Sequence, residues 1–253
     1  MKFDDRKIFE EKCNEEIIKQ SSDKTLSELS NQWLNKAAYF NYSHHFKWLG
    51  VPVIQHPSDL IIMQELLYKI KPDLIIETGV ARGGSLIFYS SIMDMIWGKN
   101  DPKNGKIIGI DIDIRKHNRD TIEKHFLSNR IQLIEGSSID IFTKEKVYSL
   151  CSDYKNIMVI LDSNHTYDHV LEELKIYSPL VSTNSYCVVL DTIIEYLDEE
   201  LIKYKTWSKN DNPLTAVETF LKNNKNFVID NYYEDKALIT VAPNGFLRKV
   251  SSS

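Results

Sequence analysis

Seven short apolar runs, separated by stretches with helical periodicity, constrain the fold more than any other feature of this sequence. Short, continuous runs rich in β-branched residues are typical of strands buried on both faces of a parallel sheet. Their alternation with helices predicts an α/β fold. The predicted strands are Leu74–Glu77, Lys106–Ile110, Ile131–Ile134, Ile157–Leu161, Ser185–Leu190, Phe227–Ile229 and Ala237–Val241. The last two are joined by a polar turn, and we expect an antiparallel terminal hairpin there.

The segment before these runs has a different character. Residues 4–40 are charged and amphipathic, which predicts helices packed outside the main sheet. The stretch Tyr42–Pro57 contains so many glycine and proline breakers that we expect a structured loop. Pro57–Ile70 reads as a helix that Ser58 and Asp59 can cap. Two units are therefore predicted: residues 1–56 as a helical extension with its loop, and residues 57–253 as the sheet-containing domain.

Charge and cysteine content exclude several classes of protein. The 31 basic and 36 acidic residues give a net charge of -5, so no positive field exists to hold a nucleic acid. The three cysteines are far apart without CxxC spacing, which disfavours a disulfide framework or a zinc site. No apolar run has the length of a membrane helix or signal peptide. We expect a cytoplasmic protein without a membrane span.

A glycine-containing loop follows the first predicted strand of the sheet and opens a helix. Gly79, Gly83 and Gly84 would let the backbone approach a ligand at the carboxyl end of the sheet, and Ser85 could satisfy backbone donors. Glu77 would accept hydrogen bonds from a cationic or amine-bearing ligand. This pattern predicts a Rossmann-like, doubly wound α/β fold with a mostly parallel sheet, an antiparallel C-terminal hairpin strand and an N-terminal helical extension.

The next strand ends at Asp111, where a carboxylate can hold the two hydroxyls of a ribose. The glycines and this acid together indicate an adenosine ligand. The spacing GxxxGGS differs from the dinucleotide pattern GxGxxG and argues against NAD. The alternative is that the glycines only form a tight turn between strand and helix.

Two further strands end in acids, Asp162 and Asp191. Together with Glu77 and Asp111 they would bring four carboxylates to one edge of a parallel sheet, an arrangement that needs compensating cations. Oxygen ligands select a hard divalent ion such as magnesium, manganese or calcium. His165 would lie at the mouth of this site as a metal ligand or proton acceptor. The alternative is that Asp162 caps the helix 168–178 and His165 packs at its start.

With these residues placed, the sequence resembles the cephalosporin hydroxylase family, which consists of S-adenosylmethionine-dependent O-methyltransferases and includes rhamnosyl O-methyltransferases. The resemblance covers about residues 40 to 250. The matching positions are Trp48–Pro52, Gln55, Pro57, Asp59, Gln64–Glu65, Glu77–Ser85, Ile110–Asp113, Leu161–Thr166, Ser185–Thr192, Asn210–Val217 and Leu238–Gly245. A looser similarity to catechol-type O-methyltransferases, which place metal acids at the same two strand ends, supports the same geometry.

The resemblance implies a role for each matching residue. Gly79, Gly83 and Ser85 would contact S-adenosylmethionine, Asp111 would bind its ribose, and Asp162 and Asp191 would hold a divalent metal, magnesium or manganese. The predicted cofactor set also includes Glu77, Arg82 and Ser137. Some members have a Glu-Asp pair at the second metal strand, whereas Leu190 occupies that Glu position here. Thr192, His165 or water could supply the missing ligand.

The predicted function is metal-assisted O-methylation of a sugar hydroxyl, with His165 and Asp162 as catalytic residues. The acceptor would be a nucleotide-activated sugar or a surface glycan or glycolipid precursor. Arg82, Trp207, Lys209, Asn212 and Tyr233 are possible acceptor contacts. We also expect a homo-oligomer, associated through residues 4–40. The alternatives are a non-catalytic nucleoside-binding protein and a methyltransferase for a non-sugar small molecule, such as an antibiotic or phenol.

Overall fold

A computed structural model describes residues 5–99, 101 and 104–250. The ends of both predicted units, residues 1–4 and 251–253, lie outside this range. The strands are β1 Phe46–Trp48, β2 Val51–Val53, β3 Leu74–Thr78, β4 Lys106–Asp111, β5 Ile131–Glu135, β6 Ile157–Leu161, β7 Tyr186–Val189, β8 Phe227–Ile229 and β9 Phe246–Lys249. The α-helices are α1 Arg6–Ser21, α2 Lys24–Ala38, α3 Pro57–Ile70, α4 Gly84–Trp97, α5 Lys116–Glu123, α6 Ile141–Cys151, α7 Tyr167–Tyr177, α8 Glu199–Ile202, α9 Pro213–Asn223 and α10 Tyr232–Ala237.

Within the described residues, seven strands form the main sheet in the order β5-β4-β3-β6-β7-β9-β8. The pairs β5-β4, β4-β3, β3-β6 and β6-β7 are parallel, and β9 runs antiparallel to both β7 and β8. Strands β3, β6 and β7 are buried along their whole length, because helices cover both faces of the sheet. The predicted doubly wound fold with its antiparallel C-terminal strand is confirmed.

The strand order reverses between β3 and β6, which makes their carboxyl ends the topological switch point. In open α/β sheets, ligands bind in the crevice at this point. A ligand site is therefore expected among the loops that follow β3, β4, β6 and β7.

The prediction of a strand at Ala237–Val241 is wrong. Helix α10 ends at Ala237, and Leu238 has a φ of 57°, which interrupts an extended run. The apolar residues that follow are buried in a loop held by α3, whose Ser58 hydroxyl donates to the Ile239 carbonyl and whose Asp59 accepts from the Val241 amide. Side chains of α3 thus form the hydrogen bonds that the backbone of residues 239 and 241 would otherwise make to a neighbouring strand. The strand that pairs with β8 is β9.

The same two residues were predicted to cap α3, and that prediction is also wrong. The N-cap of α3 is His56, with Pro57 in the first turn and no side-chain cap. The bounds of the helix agree with the prediction. Because Ser58 and Asp59 bind the 239–241 loop, they connect distant parts of the chain and do not stabilise the start of their own helix.

The predicted loop Tyr42–Pro57 contains regular structure that the breakers concealed. Strands β1 and β2 form an antiparallel hairpin, with Phe46 opposite Val53. Leu49 and Gly50 both have positive φ, so they make the turn. Gly50 therefore helps to form the turn of a hairpin. The expectation that the glycine and proline residues exclude regular elements from this stretch is wrong.

The predicted helical extension is present as α1 and α2. Helix α1 buries none of its residues, while α2 buries Ser30 and Leu34. The side chain of Gln20, near the end of α1, donates to the Asp235 carbonyl on α10 at 2.6 Å. No described helix has the length and apolar character needed to cross a membrane.

Candidate functional site

The carboxyl ends of the central strands are joined by hydrogen bonds that continue past the sheet. The Gly79 amide donates to the Ile110 carbonyl at 2.7 Å, and the Asp162 amide donates to the Thr78 carbonyl at 2.9 Å. The Leu190 amide donates to the Leu161 carbonyl at 3.0 Å. These bonds bring the residues after β3, β4, β6 and β7 to one edge, as the sequence predicted.

Position 79 needs a glycine for two reasons, its backbone conformation and the close approach of a neighbouring loop. Its φ is 90°, and a Cβ atom there would lie 1.9 Å from the Asp162 carbonyl oxygen. At Gly83 and Gly84 a Cβ would collide with the Ile122 side chain and the Pro52 carbonyl. The three glycines therefore allow close packing of the protein on itself, which is what the turn alternative proposed. Their contacts with a cofactor stay a prediction, because this packing does not test them.

Asp111 fixes the conformation of the glycine loop. Its Oδ2 accepts the Val80 and Ala81 amides at 2.9 and 3.0 Å, and its Oδ1 accepts the Asp113 amide at 3.1 Å. A carboxylate that accepts several amides orders the loop around it. The residue predicted to bind a ribose thus also builds the loop next to which the ribose would lie.

Glu77 is fully buried and has no access to the cleft. Its two oxygens accept hydrogen bonds from the Ser85 hydroxyl at 2.7 Å and the Tyr89 hydroxyl at 2.9 Å. Burial raises the pKa of Glu77 to about 8, although the Ser85 and Tyr89 hydrogen bonds partly oppose this shift. Both Glu77 and Ser85 therefore connect β3 to α4, an arrangement that the sequence pattern did not predict.

Asp162, His165 and Asp191 form the most distinctive cluster at this edge. Each can offer one ligand atom to a common point, and these atoms lie within 4.8 Å of one another. The His165 Nε2 atom is 3.2 Å from the Asp191 Oδ2 atom. Asp191 has a left-handed backbone with a φ of 56°, a strained conformation that aspartate tolerates better than most residues. Such conformations are frequent at functional sites.

The charge of this cluster favours a cation. Burial raises the pKa of Asp162 well above its usual value, and the nearby Asp191, Glu77 and Glu173 carboxylates raise it further. A divalent ion would offset this repulsion, and two carboxylates with one imidazole are suitable ligands for it. The residues present therefore fit the predicted metal.

The alternative interpretation, in which Asp162 caps the next helix, is wrong. Helix α7 begins at Tyr167 after Thr166, without a side-chain cap. The Tyr167 amide instead donates to the Asp211 carboxylate at 2.8 Å. Asp162 therefore has no capping role in the structure.

Three other predicted residues lie apart from the cluster. The Thr192 side chain is buried, and its hydroxyl donates to the Pro243 carbonyl at 2.6 Å, so the structure does not bring it into the group of ligands. Arg82 lies on the glycine loop, 3.4 Å from the His117 ring. Ser137 lies after β5, where its carbonyl accepts the Asp140 amide.

The cluster opens into a cleft of about 480 Å³. Besides Asp162, His165 and Asp191, its lining includes Gln55 and His56, two buried residues that the sequence pattern did not single out. The Gln55 side-chain nitrogen is 3.4 Å from the Asp162 Oδ2 atom. Gln55 is one of the positions that match the family, and this match was the signal in the sequence that could have identified it as a site residue. Leu34, Ala38 and residues 41–44 of the predicted N-terminal unit also line the cleft, so both predicted units contribute to it.

Of the predicted acceptor contacts, Trp207 alone lines this cleft, and its ring centroid is 6.1 Å from that of His165. Lys209 lies in an adjoining groove. Asn212 is buried as the N-cap of α9, and Tyr233 is buried in the core. The structure therefore keeps Trp207 and Lys209 as candidates and assigns structural roles to Asn212 and Tyr233.

Comparisons with known proteins show which proteins this chain resembles. The family model described as rhamnosyl O-methyltransferase/CmcI matches residues 40–250. A rhamnosyl O-methyltransferase from Mycobacterium tuberculosis is 30% identical over 207 residues, which cover 79% of this chain and 76% of the relative. The resemblance inferred from the sequence is confirmed.

Solved structures show the same fold. CmcI N160 with SAH aligns with a TM-score of 0.57 and 20% identity, over 81% of this chain and 83% of that chain. CmcI D160 with Mg and SAM aligns with a TM-score of 0.56 and 18% identity, over 82% of this chain and 78% of that chain. At these identities the comparison supports the fold.

Proposed function

Because the chain belongs to the rhamnosyl O-methyltransferase/CmcI family of S-adenosylmethionine-dependent enzymes, we propose that it methylates a sugar hydroxyl with the help of a divalent metal. The observation that carries this proposal is the cluster of Asp162, His165 and Asp191, next to the glycine loop and open to a cleft. The cluster would provide a metal site and a base at the position where the loop would present a methyl donor.

The loop after β3 is the proposed site of the methyl donor. Gly79, Gly83, Arg82 and Ser85 belong to this loop or to the start of α4, and Asp111 holds it in place. The Asp111 carboxylate would bind the ribose, and Ser137 would border the adenosine beyond β5. The solved CmcI structures with SAM or SAH support the identity of the donor.

Asp162 and Asp191 would hold the metal, with Mg²⁺ or Mn²⁺ as the candidates. When bound, the ion would act as a Lewis acid that lowers the pKa of the acceptor hydroxyl. His165 would accept the hydroxyl proton at a ring nitrogen, and Asp191 would orient the imidazole. S-adenosylmethionine, when bound, would supply a methyl carbon on a positively charged sulfur; the acceptor oxygen would bond to this carbon as the carbon–sulfur bond breaks, and the electron pair of that bond would remain on sulfur.

The acceptor is proposed to be a sugar, either nucleotide-activated or part of a surface glycan or glycolipid precursor. The name of the mycobacterial relative supports a rhamnosyl acceptor. Location in the cytoplasm and homo-oligomerisation through residues 4–40 stay predictions.

Methyl transfer to rhamnosides, measured with labelled S-adenosylmethionine, tests the proposal. Transfer is expected with Mg²⁺ or Mn²⁺, and it should fall at least a hundredfold with a chelator or in Asp162→Ala. Asp153→Ala is the matched control, because Asp153 is exposed and precedes β6, whereas Asp162 follows this strand. Undiminished turnover after both treatments would exclude the metal. Cofactor binding without transfer to any hydroxylated acceptor would favour a non-catalytic nucleoside-binding protein, and transfer to phenols alone would favour a non-sugar substrate.

A further inference from the structure

Lys205 is the sole lysine or arginine among the described residues that line the cleft. The acids there are Asp162 and Asp191, which lie together at the metal cluster. A divalent cation would neutralise these two carboxylates. The remaining fixed charge of the cleft is then the positive charge of Lys205.

Trp207 connects this lysine to the reacting end of the cleft. The Lys205 Nζ atom is 5.7 Å from the centroid of the Trp207 ring, and that ring meets the His165 ring edge to face. An aromatic face can pack against a sugar ring, and it also attracts a nearby ammonium group. The cluster, the tryptophan and the lysine thus follow one another along the cleft wall.

The cleft continues past Lys205 into a groove of about 390 Å³. Lys205 and Trp207 line both the cleft and the groove, whereas Lys209 lines the groove alone. Glu199, Glu200 and Lys203 also line it, and Lys203 pairs with Glu200 at 3.5 Å. Among the described residues that line the groove, Lys205 and Lys209 are therefore the two cations without such a partner, and Glu199 is the remaining acid.

The loop that carries both lysines is anchored to the active site. Ser208 and Asp211 form a short backbone bridge, and the Asn210 amide donates to the Glu195 carboxylate at 2.9 Å. The Asp211 carboxylate accepts the Tyr167 amide, two residues after His165. These bonds fix the backbone of residues 208–211, which follows Lys205 and includes Lys209, relative to the start of α7, and this order reduces the entropy that the loop loses when a ligand binds.

We infer that Lys205 and Lys209 bind a phosphoryl group of the acceptor, so that the substrate is a sugar that carries a phosphate or diphosphate. The sugar ring would pack against Trp207 with a hydroxyl at the metal cluster, and its phosphoryl oxygens would reach the two ammonium groups. A neutral glycoside would leave both lysines without a ligand. This inference rests on the proposed function and selects a phosphorylated acceptor from its alternatives.

Calorimetric titration of the full-length protein with SAH and Mn²⁺ tests the inference. The probes are dTDP-rhamnose, rhamnose 1-phosphate and the neutral methyl α-rhamnoside. We expect both phosphorylated probes to bind at least tenfold more tightly than the neutral one, with an affinity that falls as salt increases. Lys205→Ala should remove this advantage, Lys205→Arg should retain it, and Lys209→Ala should reduce it.

Lys175→Ala is the control, because Lys175 is an exposed lysine on α7 that pairs with Glu172 away from the cleft. Equal affinity of the wild-type protein for all three probes, or an equal effect of Lys205→Ala on all three, would overturn the inference. Methyl transfer is assayed separately. Lys205-dependent binding of the phosphorylated probes without transfer to any of them would contradict the proposed function and support the phosphoryl site.

Discussion

Gly79 and Asp162 are in direct backbone contact, and a Cβ atom on residue 79 would lie 1.9 Å from the Asp162 carbonyl oxygen. The first residue of the glycine loop therefore packs on the backbone of Asp162, the first of the two proposed metal-binding carboxylates. Because β3 and β6 are adjacent parallel strands, their two loops leave the sheet side by side. A side chain added at residue 79 must therefore displace the Asp162 backbone.

Gly79→Ala is expected to destabilise the protein and to impair metal binding together. The added methyl group requires movement of the Asp162 backbone, an overlap that costs about 1–3 kcal/mol, and a positive φ adds about 1–2 kcal/mol. Gly50→Ala is the matched control, because Gly50 has a φ of 89° but no atom within 4 Å of the added Cβ.

Thermal unfolding and Mn²⁺ titration of the two variants distinguish the effect of steric overlap with Asp162 from the effect of backbone strain at a positive φ. The decrease in Tm for Gly79→Ala should be at least twice that for Gly50→Ala, and Mn²⁺ affinity should fall only in the former. Similar decreases in Tm with unchanged Mn²⁺ affinity would show that the contact with Asp162 has no functional consequence.

His165→Gln is expected to lower kcat about a hundredfold, the contribution typical of a general base. If proton transfer is its main role, Mn²⁺ affinity measured by calorimetry should fall less than tenfold. Asp191→Asn provides the comparison, since loss of a carboxylate ligand should weaken Mn²⁺ much more. An equal loss of affinity in both variants would instead identify His165 as the third protein ligand in place of the glutamate replaced by Leu190.

Asp111→Asn is expected to weaken SAH binding about tenfold or more, because an amide cannot accept all three backbone bonds that order the loop. A hydrogen bond to a charged group contributes about 1.5–3 kcal/mol. Asp113→Asn is the control, since Asp113 is exposed and pairs with Arg115 at 3.5 Å. Calorimetry that gives the two variants equal SAH affinity would argue against the assigned role of Asp111.

The sequence predicted the parts of the site that lie on the central sheet. Strand ends in a parallel sheet have fixed relative positions, so the order of strands and acids along the chain was enough to assign the acids after β4, β6 and β7 to one edge. Asp162, His165 and Asp191 do meet there. The same reasoning could not show that Glu77 is turned away, because this depends on hydrogen bonds from Ser85 and Tyr89 on α4.

Long-range packing explains most of the errors. The run 237–241 has the apolar character of a strand, but its partner is α3, which is about 180 residues earlier in the chain. Gln55 and His56 reach the cleft because the hairpin β1-β2 folds over α4, and no local pattern encodes that contact. Local periodicity can identify an element, but its neighbours decide what the element does.

Asp59 provides a test of this long-range packing through pH. Burial raises its pKa from 3.8 to about 7, against the opposing hydrogen bonds from Thr240 and Val241. Between these two values the folded protein keeps a proton that the unfolded chain has released. The free energy of unfolding therefore falls as the pH rises through this window, and the loss is complete above about pH 7. The difference between the two pKa values corresponds to about 4 kcal/mol at most.

Asp59→Asn should remove this loss, because the amide oxygen can still accept the Val241 amide and the side chain no longer ionises. We expect the two proteins to differ little in Tm near pH 4 and the variant to become progressively more stable than the wild type up to about pH 8. Thermal unfolding across this range in the presence of a chelator measures the effect, with Asp153→Asn as a control for loss of an exposed charge. Parallel curves for wild type and Asp59→Asn would mean that Asp59 does not carry a proton in the folded protein, and that burial under the 239–241 loop costs this carboxylate less than its surroundings indicate.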